Sequence, residues 1–174
     1  MTDDLGLSIA GTLHTVGGVG TVRMRARFET DIDDLWSAIT DSQRLARWYG
    51  NVQGDLREGG EFTAFVFASE WNGRGRIEKC VRPRHLEVTH WEEESAKHAL
   101  TADLVTEGDH TILAFETGGM PTDVLWAYGA GWQAHLEILG AHIAGQDRVD
   151  FSITTRSRMD ELDPIYREME VVAQ

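Results

Sequence analysis

The sequence is poor in cysteine and in basic residues, and each shortage excludes a class of protein. A single cysteine, Cys80, rules out an internal disulfide and a zinc site built from several cysteines. Lys and Arg number 16 against 29 Asp and Glu, which leaves a net charge of -13. Phosphate backbones and anionic lipid surfaces repel such a chain. We therefore expect no nucleic-acid partner and no membrane partner.

The chain also lacks a cationic leader and a long apolar run. It opens MTDDLG, with two acidic residues where an export signal carries basic ones. A lone cysteine, which we expect to be a small half-buried hydrophobe, fits a reducing compartment. We expect a cytoplasmic protein.

Aromatic and aliphatic residues are plentiful by contrast. Apolar residues make up 41% of the 174, with six Trp and six Phe, a composition that folds. No internal repeat or linker divides the chain, so we expect one domain over residues 1–174. Its recognisable core spans about 20–145, and a C-terminal extension spans about 146–174.

The N-terminal third reads as a strand followed by two short helices. Residues 20–28 alternate between apolar and polar side chains, which predicts the first strand of a sheet, approached through a flexible glycine-rich stretch. Thr30 before a run of acidic residues predicts the start of one helix. Thr40 with Gln43 resembles a capping box and predicts a second, which ends at Gly50.

The remainder predicts strands and then one long helix. Turn signals divide residues 51–117 into antiparallel strands. Apolar residues at a spacing near 3.6 predict a helix over about 122–144. Beyond it, residues 149–155 alternate, and Pro164 predicts the start of a short helix with Tyr166 against the body. The order indicates an α+β protein whose curved antiparallel sheet wraps around the long helix.

Five blocks of sequence in this order resemble a known family. They are ETDIDDLWSAITDSQRLARWYG, LREGGEFTAF, GRIEKCVRPRHLEVTHW, ADLVTEGDHTILAFETGGMP and GWQAHLEILGAHIAG. Together they resemble the family of homologues of the activator of the ninety-kilodalton heat-shock protein's ATPase, within the SRPBCC (START-like) superfamily. The resemblance covers roughly residues 20–145.

The resemblance implies a helix-grip fold with a cavity between the sheet and the long helix. Such cavities take lipids, sterols, polyketides and other apolar molecules, so a small apolar or aromatic ligand is the expected partner. Rigid aromatic side chains suit such a cavity, although each one singly is more often plain core. The residues expected to line it are Trp36, Trp48, Tyr49, Phe62, Phe65, Phe67, Leu86, Val88, His90, Leu100, Leu104, Leu113, Phe115, Trp132 and Leu136.

His90 is the main candidate for chemistry. It shares a strand face with Leu86 and Val88, where relatives often carry Trp, and Trp91 falls on the opposite face. A neutral imidazole there hydrogen-bonds a ligand or acts as a general base, and a satisfied core histidine is the alternative. A cyclase or hydratase would use His90 as acid-base, with Tyr49 or Glu61 assisting.

The sequence predicts neither a metal nor a cofactor. None of the seven histidines has a metal-site spacing, and His135 and His142 read as surface or helix-end residues. The glycine-rich stretch 17–20 precedes a strand and not a helix, so it does not predict a phosphate site. Because no catalytic motif accompanies His90, binding is favoured over catalysis.

Two kinds of protein partner also follow from the sequence. Phe65 and Phe67 lie in the opposite phase to the rest of their strand, and an exposed apolar patch there predicts a homodimer. The family resemblance implies, as a third hypothesis, a co-chaperone-like interaction module.

Overall fold

The computed structural model describes residues 7–147 and 150–174. Its strands are β1 (Ser8–Val16), β2 (Val19–Phe28), β3 (Gly50–Gly54), β4 (Glu61–Val66), β5 (Asn72–Val81), β6 (His85–Trp91), β7 (His98–Glu107), β8 (His110–Met120) and β9 (Val171–Ala173). The helices are α1 (Ile32–Thr40), α2 (Ser42–Leu45), α3 (Leu125–Ile143) and α4 (Phe151–Arg167). A short 3-10 helix, Thr122–Val124, leads into α3.

One sheet contains these nine strands in the order β3-β4-β5-β6-β7-β8-β2-β1-β9. Neighbours pair antiparallel, apart from the parallel pair of β1 and β9. The sheet curves around α3, so the expected α+β helix-grip fold is confirmed. No helix in the described ranges is both long and apolar enough to cross a membrane.

The chain begins its sheet one strand earlier than the sequence predicts. β1 and β2 form a hairpin whose two-residue turn is Gly17 and Gly18, with φ of 59° and 80°. Glycine takes positive φ without strain, as tight hairpin turns require. The expectation that residues 20–28 are the first strand, with a flexible lead, was therefore wrong, and the two short helices follow the second strand.

Two aspartates start the short helices, each one residue beyond the predicted cap. Asp31 Oδ1 accepts from the backbone N–H of Asp34 at 2.8 Å. Asp41 Oδ1 accepts from the N–H of Gln43 at 2.9 Å and of Arg44 at 3.0 Å. Both helices start where predicted because Asp satisfies the free N–H groups as Thr would. Helix α2 ends at Leu45, however, and Gly50, its predicted end, is the first residue of β3.

Helix α3 is buried on two sides because small residues on its surface allow close approach. Gly129 lies against the ring of Tyr166 from α4, and Gly140 lies against Leu7. Ala134 and Leu139 are fully buried among the core side chains. The helix thus packs against both the sheet and α4 and is apolar on most of its circumference.

The C-terminal extension forms one 17-residue helix, α4, and not an alternating stretch with a short helix opened by Pro164. Pro164 lies within its last turns. Only Thr155, Leu162 and Tyr166 are buried on this polar helix, so its apolar stripe is too narrow for periodicity to predict it. Tyr166 does pack against the body, 1% exposed. Val149, part of the predicted alternation, lies outside the described residues.

Candidate functional site

A cavity of about 460 Å³ lies between the concave face of the sheet and α3. Alternation along the strands directs every second side chain towards it. Helices α1 and α2 close one side with Trp36 and Leu45, and α3 contributes Trp132, Leu136 and Leu139. Its size falls in the range of small-molecule sites.

Twelve of the fifteen residues expected at the cavity line it. They are Trp36, Trp48, Tyr49, Phe62, Leu86, Val88, His90, Leu100, Leu113, Phe115, Trp132 and Leu136. They come from six helices and strands and from the turn between α2 and β3, which the fold brings together around one space.

Phe65, Phe67 and Leu104 do not line the cavity. Phe65 is on the outer face of β4 and is 38% exposed. Phe67 lies beyond the end of β4, and its ring packs 5.6 Å from that of Phe151 on α4. Leu104, 1% exposed, faces inward but packs in the solid core. The first two were misassigned because residues 61–67 carry phenylalanine in both phases, and the third because phase gives the face but not the depth.

Aromatic rings form the wall of the cavity along α3. The ring centroids of Phe115 and Trp132 are 4.4 Å apart, and those of Tyr49 and Trp132 are 5.9 Å apart with nearly parallel planes. Trp48 donates its indole N–H to the carbonyl of Ala38 at 3.0 Å, which leaves its ring for contact. Burial raises the pKa of the Tyr49 phenol far above its usual range, so it stays a neutral donor.

His90 lines the cavity at the end of β6 that lies away from the turn carrying Arg82. Its ring meets that of Trp71 edge-on at 5.7 Å and stacks with that of His98 at 5.5 Å. Burial, and then the neighbouring His98, lower the pKa of His90 to about 4. The imidazole is therefore neutral at pH 7. Trp91 is on the opposite face of β6, with Lys97 Nζ 4.8 Å from its ring centre.

Glycine at position 75 makes room beside this histidine. Gly75 pairs with Phe62 on β4 and with His90 on β6. The ring of Phe62 occupies the space that a Cβ at residue 75 would need. The aromatic ring thereby covers the backbone of β5 and extends the apolar wall.

Charged residues surround the mouth of the cavity. The loop between β3 and β4 supplies Arg57 and Glu58, and the turn between β5 and β6 supplies Arg82. Arg57 donates two hydrogen bonds to the Asp55 carboxylate, from Nε to Oδ1 and from Nη2 to Oδ2, at 2.9 Å each. Glu58 Oε2 accepts from the backbone N–H of Cys80 at 2.9 Å. Burial and Glu58 raise the pKa of the Cys80 thiol, while Arg82 opposes the rise.

The sequence reasoning missed fourteen of the lining residues. Ala64 and Ala102 share the strand phase of residues already selected, so alternation would have found them. Ile77 is on β5, from which no residue was selected. Arg57, Glu58 and Arg82 reach the cavity only because two loops meet there. The others are Ile39, Thr40, Leu45, Val52, Leu56, Trp71, Cys80 and Leu139.

Two other predicted positions differ from expectation. His135 is not a surface residue: it is 6% exposed, and its Nδ1 is 2.8 Å from the carbonyl oxygen of Gly131. Glu61 is exposed on the outer face of β4 and does not line the cavity, so it cannot assist His90. His142 does lie near the end of α3, with Nδ1 2.6 Å from Asp147 Oδ1.

Within the described ranges, no group of three or more His, Cys, Asp or Glu is placed to hold a metal.

The sheet, the long helix and the cavity between them define a helix-grip protein. The family model for activator of Hsp90 ATPase homolog 1-like protein matches residues 29–144. The chain belongs to this family, as its sequence blocks indicate. No curated protein matches the sequence.

Several solved structures have the same fold. CalU16 from Micromonospora echinospora is 28% identical, with a TM-score of 0.70 over 93% of this chain and 99% of that one. PFC0360w, an HSP90 activator from Plasmodium falciparum, is 20% identical, with a TM-score of 0.61 over 72% of this chain and 96% of that one. DynU16, from the dynemicin biosynthetic locus, is 18% identical, with a TM-score of 0.67 over 73% of this chain but 48% of that one.

Proposed function

We propose that this protein binds a small apolar molecule, aromatic for at least part of its length, in the cavity between the sheet and α3. The observation that carries the proposal is the 460 Å³ space lined mainly by aliphatic and aromatic side chains. Concave apolar sites with a few polar groups are the usual form of a small-molecule site.

The geometry of the wall supports an aromatic ligand. Trp132 and Tyr49 present nearly parallel rings, and aromatic side chains give large contact areas while losing little rotamer freedom. His90 provides a neutral group able to accept or donate one hydrogen bond. A planar apolar body with one polar substituent fits these surroundings.

Titration with the apolar fluorophore N-phenyl-1-naphthylamine tests the proposal, followed by displacement with lipids, sterols and aromatic polyketides. Ala102 is buried and lines the cavity, whereas Ala99, on the same strand, is exposed. We expect Ala102→Leu to weaken binding about tenfold by filling the space, and Ala99→Leu to leave it unchanged. Ala64→Leu repeats the test if Ala102→Leu does not fold. Equal effects at residues 99 and 102, or no binding by the natural sequence, would refute the proposal.

A cyclase or hydratase remains the second candidate, favoured by the placement of His90 beside a ligand-sized space. A pKa near 4 makes its imidazole an acceptor at neutral pH and a weak general base. Because Glu61 does not line the cavity, Tyr49 is the remaining candidate to assist His90. Unchanged turnover of a verified substrate by His90→Ala would exclude this assignment.

A chaperone-binding role is the third candidate, and the family description carries it. Deletion of everything after Gly145 would remove the buried residues Leu162 and Tyr166, so surface substitutions make the better test. Ile153 and Ile165 on α4 are 66% and 56% exposed. If α4 binds the ninety-kilodalton heat-shock protein, their replacement by Ser abolishes capture, whereas Val105→Ser on the sheet does not.

A homodimer through the outer face of β4 stays a prediction. The exposed apolar patch on that face is smaller than the sequence suggested. Phe65 is exposed, but Phe67 is covered by Phe151. Light scattering of the natural sequence and of Phe65→Ser tests it, and a monomer in both cases removes it.

A further inference from the structure

We infer that the ligand of this cavity is an elongated molecule with a group at each end, an anionic group held by Arg82 at the mouth and a hydroxyl or carbonyl held by His90 at the other end of the hairpin of β5 and β6. The inference rests on the proposed function and adds the chemical class of the ligand. It follows from the charges at the mouth, from the bonding state of His90 and from the spacing between the two residues along one hairpin.

The charges at the mouth are not equally available to a ligand. Asp55 engages Arg57 through two hydrogen bonds, and Glu58 engages the backbone of Cys80. Arg82 has neither an ion-pair partner nor a side-chain hydrogen bond within residues 7–147 and 150–174. Its guanidinium is thus the cation whose donors are free, in the planar arrangement that matches a carboxylate.

The other end of this hairpin offers a group of different chemistry. His90 contacts Trp71 and His98 through its ring faces and edges, and neither ring nitrogen has a hydrogen-bond partner among the described side chains. A neutral imidazole supplies one donor and one acceptor. Leaving both unused beside an apolar ligand would cost free energy, so a ligand hydroxyl or carbonyl is favoured there.

The hairpin of β5 and β6 holds the two groups at opposite ends. Arg82 follows the pair of Cys80 with Leu86, and His90 pairs with Gly75 farther along the same ladder. Leu86 and His90 are four residues apart, so the two ends are separated by roughly 13 Å at 3.3 Å per residue. A rod-shaped body of two or more rings spans this length.

The anion must be recognised at short range. The chain carries a net charge of -13, which repels anions at a distance, and Glu58 lies beside the mouth. At physiological ionic strength the Debye length is about 8 Å, so distant charges are screened while a direct contact with Arg82 is not. Binding measured at that ionic strength therefore reports mainly the direct contact between the anion and Arg82.

Three rod-shaped probes, each displacing N-phenyl-1-naphthylamine from the full chain, test both ends. They are 4′-hydroxybiphenyl-4-carboxylate, biphenyl-4-carboxylate, which lacks the hydroxyl, and 4-hydroxybiphenyl, which lacks the carboxylate. The variants are Arg82→Gln, His90→Phe and the control Arg84→Gln, an exposed residue of the same turn that does not line the cavity. His90→Leu replaces His90→Phe if the latter does not fold.

We expect loss of the carboxylate to weaken binding about tenfold in the natural sequence and in Arg84→Gln, and to have no effect in Arg82→Gln. Loss of the hydroxyl should weaken binding about fivefold, except in the His90 variant. If the fluorophore binds but the three probes are equivalent, or Arg82→Gln weakens all three equally, the inference is overturned while the cavity proposal stands. If the fluorophore itself does not bind, the proposed function fails first.

Discussion

The rings of Trp132 on α3 and Phe115 on β8 contact each other across the cavity wall, with centroids 4.4 Å apart and planes inclined by 48°. This contact joins the long helix to the centre of the sheet at the edge of an open space. Elsewhere along α3, Leu125 lies beside Gly20 of β2 and Gly129 lies beside Leu13 of β1, so the pair of Trp132 and Phe115 adds to these contacts at the cavity.

Trp132→Ala should therefore lower the free energy of unfolding by about 3 kcal/mol, since removal of a large ring from a packed contact costs 3–5 kcal/mol and Trp132 is only half-buried. Urea denaturation measures the change. Tyr128→Ala is the control on the same helix, where the ring is 40% exposed, and we expect a much smaller loss. Equal losses would show that Trp132 does not support the helix.

Tyr166→Phe tests how α4 is held on α3. The Tyr166 hydroxyl donates to Gln133 Oε1 at 2.6 Å, and burial and then Glu137 raise the pKa of the phenol to about 12, so it remains a donor over the whole neutral range. Its loss leaves a part-buried acceptor unpaired, which costs about 1–2 kcal/mol. Chemical denaturation measures the loss. A variant as stable as the natural sequence would mean that water replaces the hydroxyl.

His90 should make the protein less stable in mild acid. Its folded pKa of about 4 lies below the ordinary value of about 6.5, so the unfolded chain takes up a proton first as the pH falls. The stability present above pH 6.5 is then lost between pH 6.5 and 4. Between pH 7.5 and 5, we expect the natural sequence to lose about 1–2 kcal/mol more than His90→Phe.

Burial also lowers the pKa values of His14 and His135, and both residues contribute acid sensitivity in the same direction. They are present in both proteins, so the difference between the two denaturation curves isolates residue 90. Parallel curves would contradict the lowered pKa.

The rate at which the Cys80 thiol is alkylated tests the positions of Glu58 and Arg82 at the mouth of the cavity. Its thiol pKa is raised by burial and by Glu58 and lowered by Arg82, and the thiolate is the reactive form. We expect Arg82→Gln to slow alkylation by iodoacetamide at pH 8, Glu58→Gln to speed it, and Arg84→Gln to leave it unchanged. Mass spectrometry of the timed reaction measures the rates. Faster alkylation in Arg82→Gln would place the guanidinium away from the thiol.

Much of the cavity could be predicted because strand phase depends on neighbouring residues alone. Leu86, Val88 and His90 share a face wherever the strand lies, and Leu100 and Phe115 follow the same rule on their own strands. The rule failed at Phe65, where phenylalanines occur in both phases. It also failed at Leu104, which faces inward but packs against other side chains and does not border the cavity. It also gave no sign of α4, whose buried stripe is too narrow to produce a helical pattern.

By itself the amino-acid sequence determined the strands of the sheet from β2 to β8, most of their faces and the family, since alternation, capping residues and ordered blocks are local properties. It did not predict β1 and β9, which lie at one edge of the sheet. Only the tertiary structure decided that the space beside Trp132 stays open, that Arg82 stands at its mouth with no side-chain partner among residues 7–147 and 150–174, and that α4 covers α3. These outcomes depend on the curvature of the sheet and on distances between segments far apart in the chain, which no local pattern encodes.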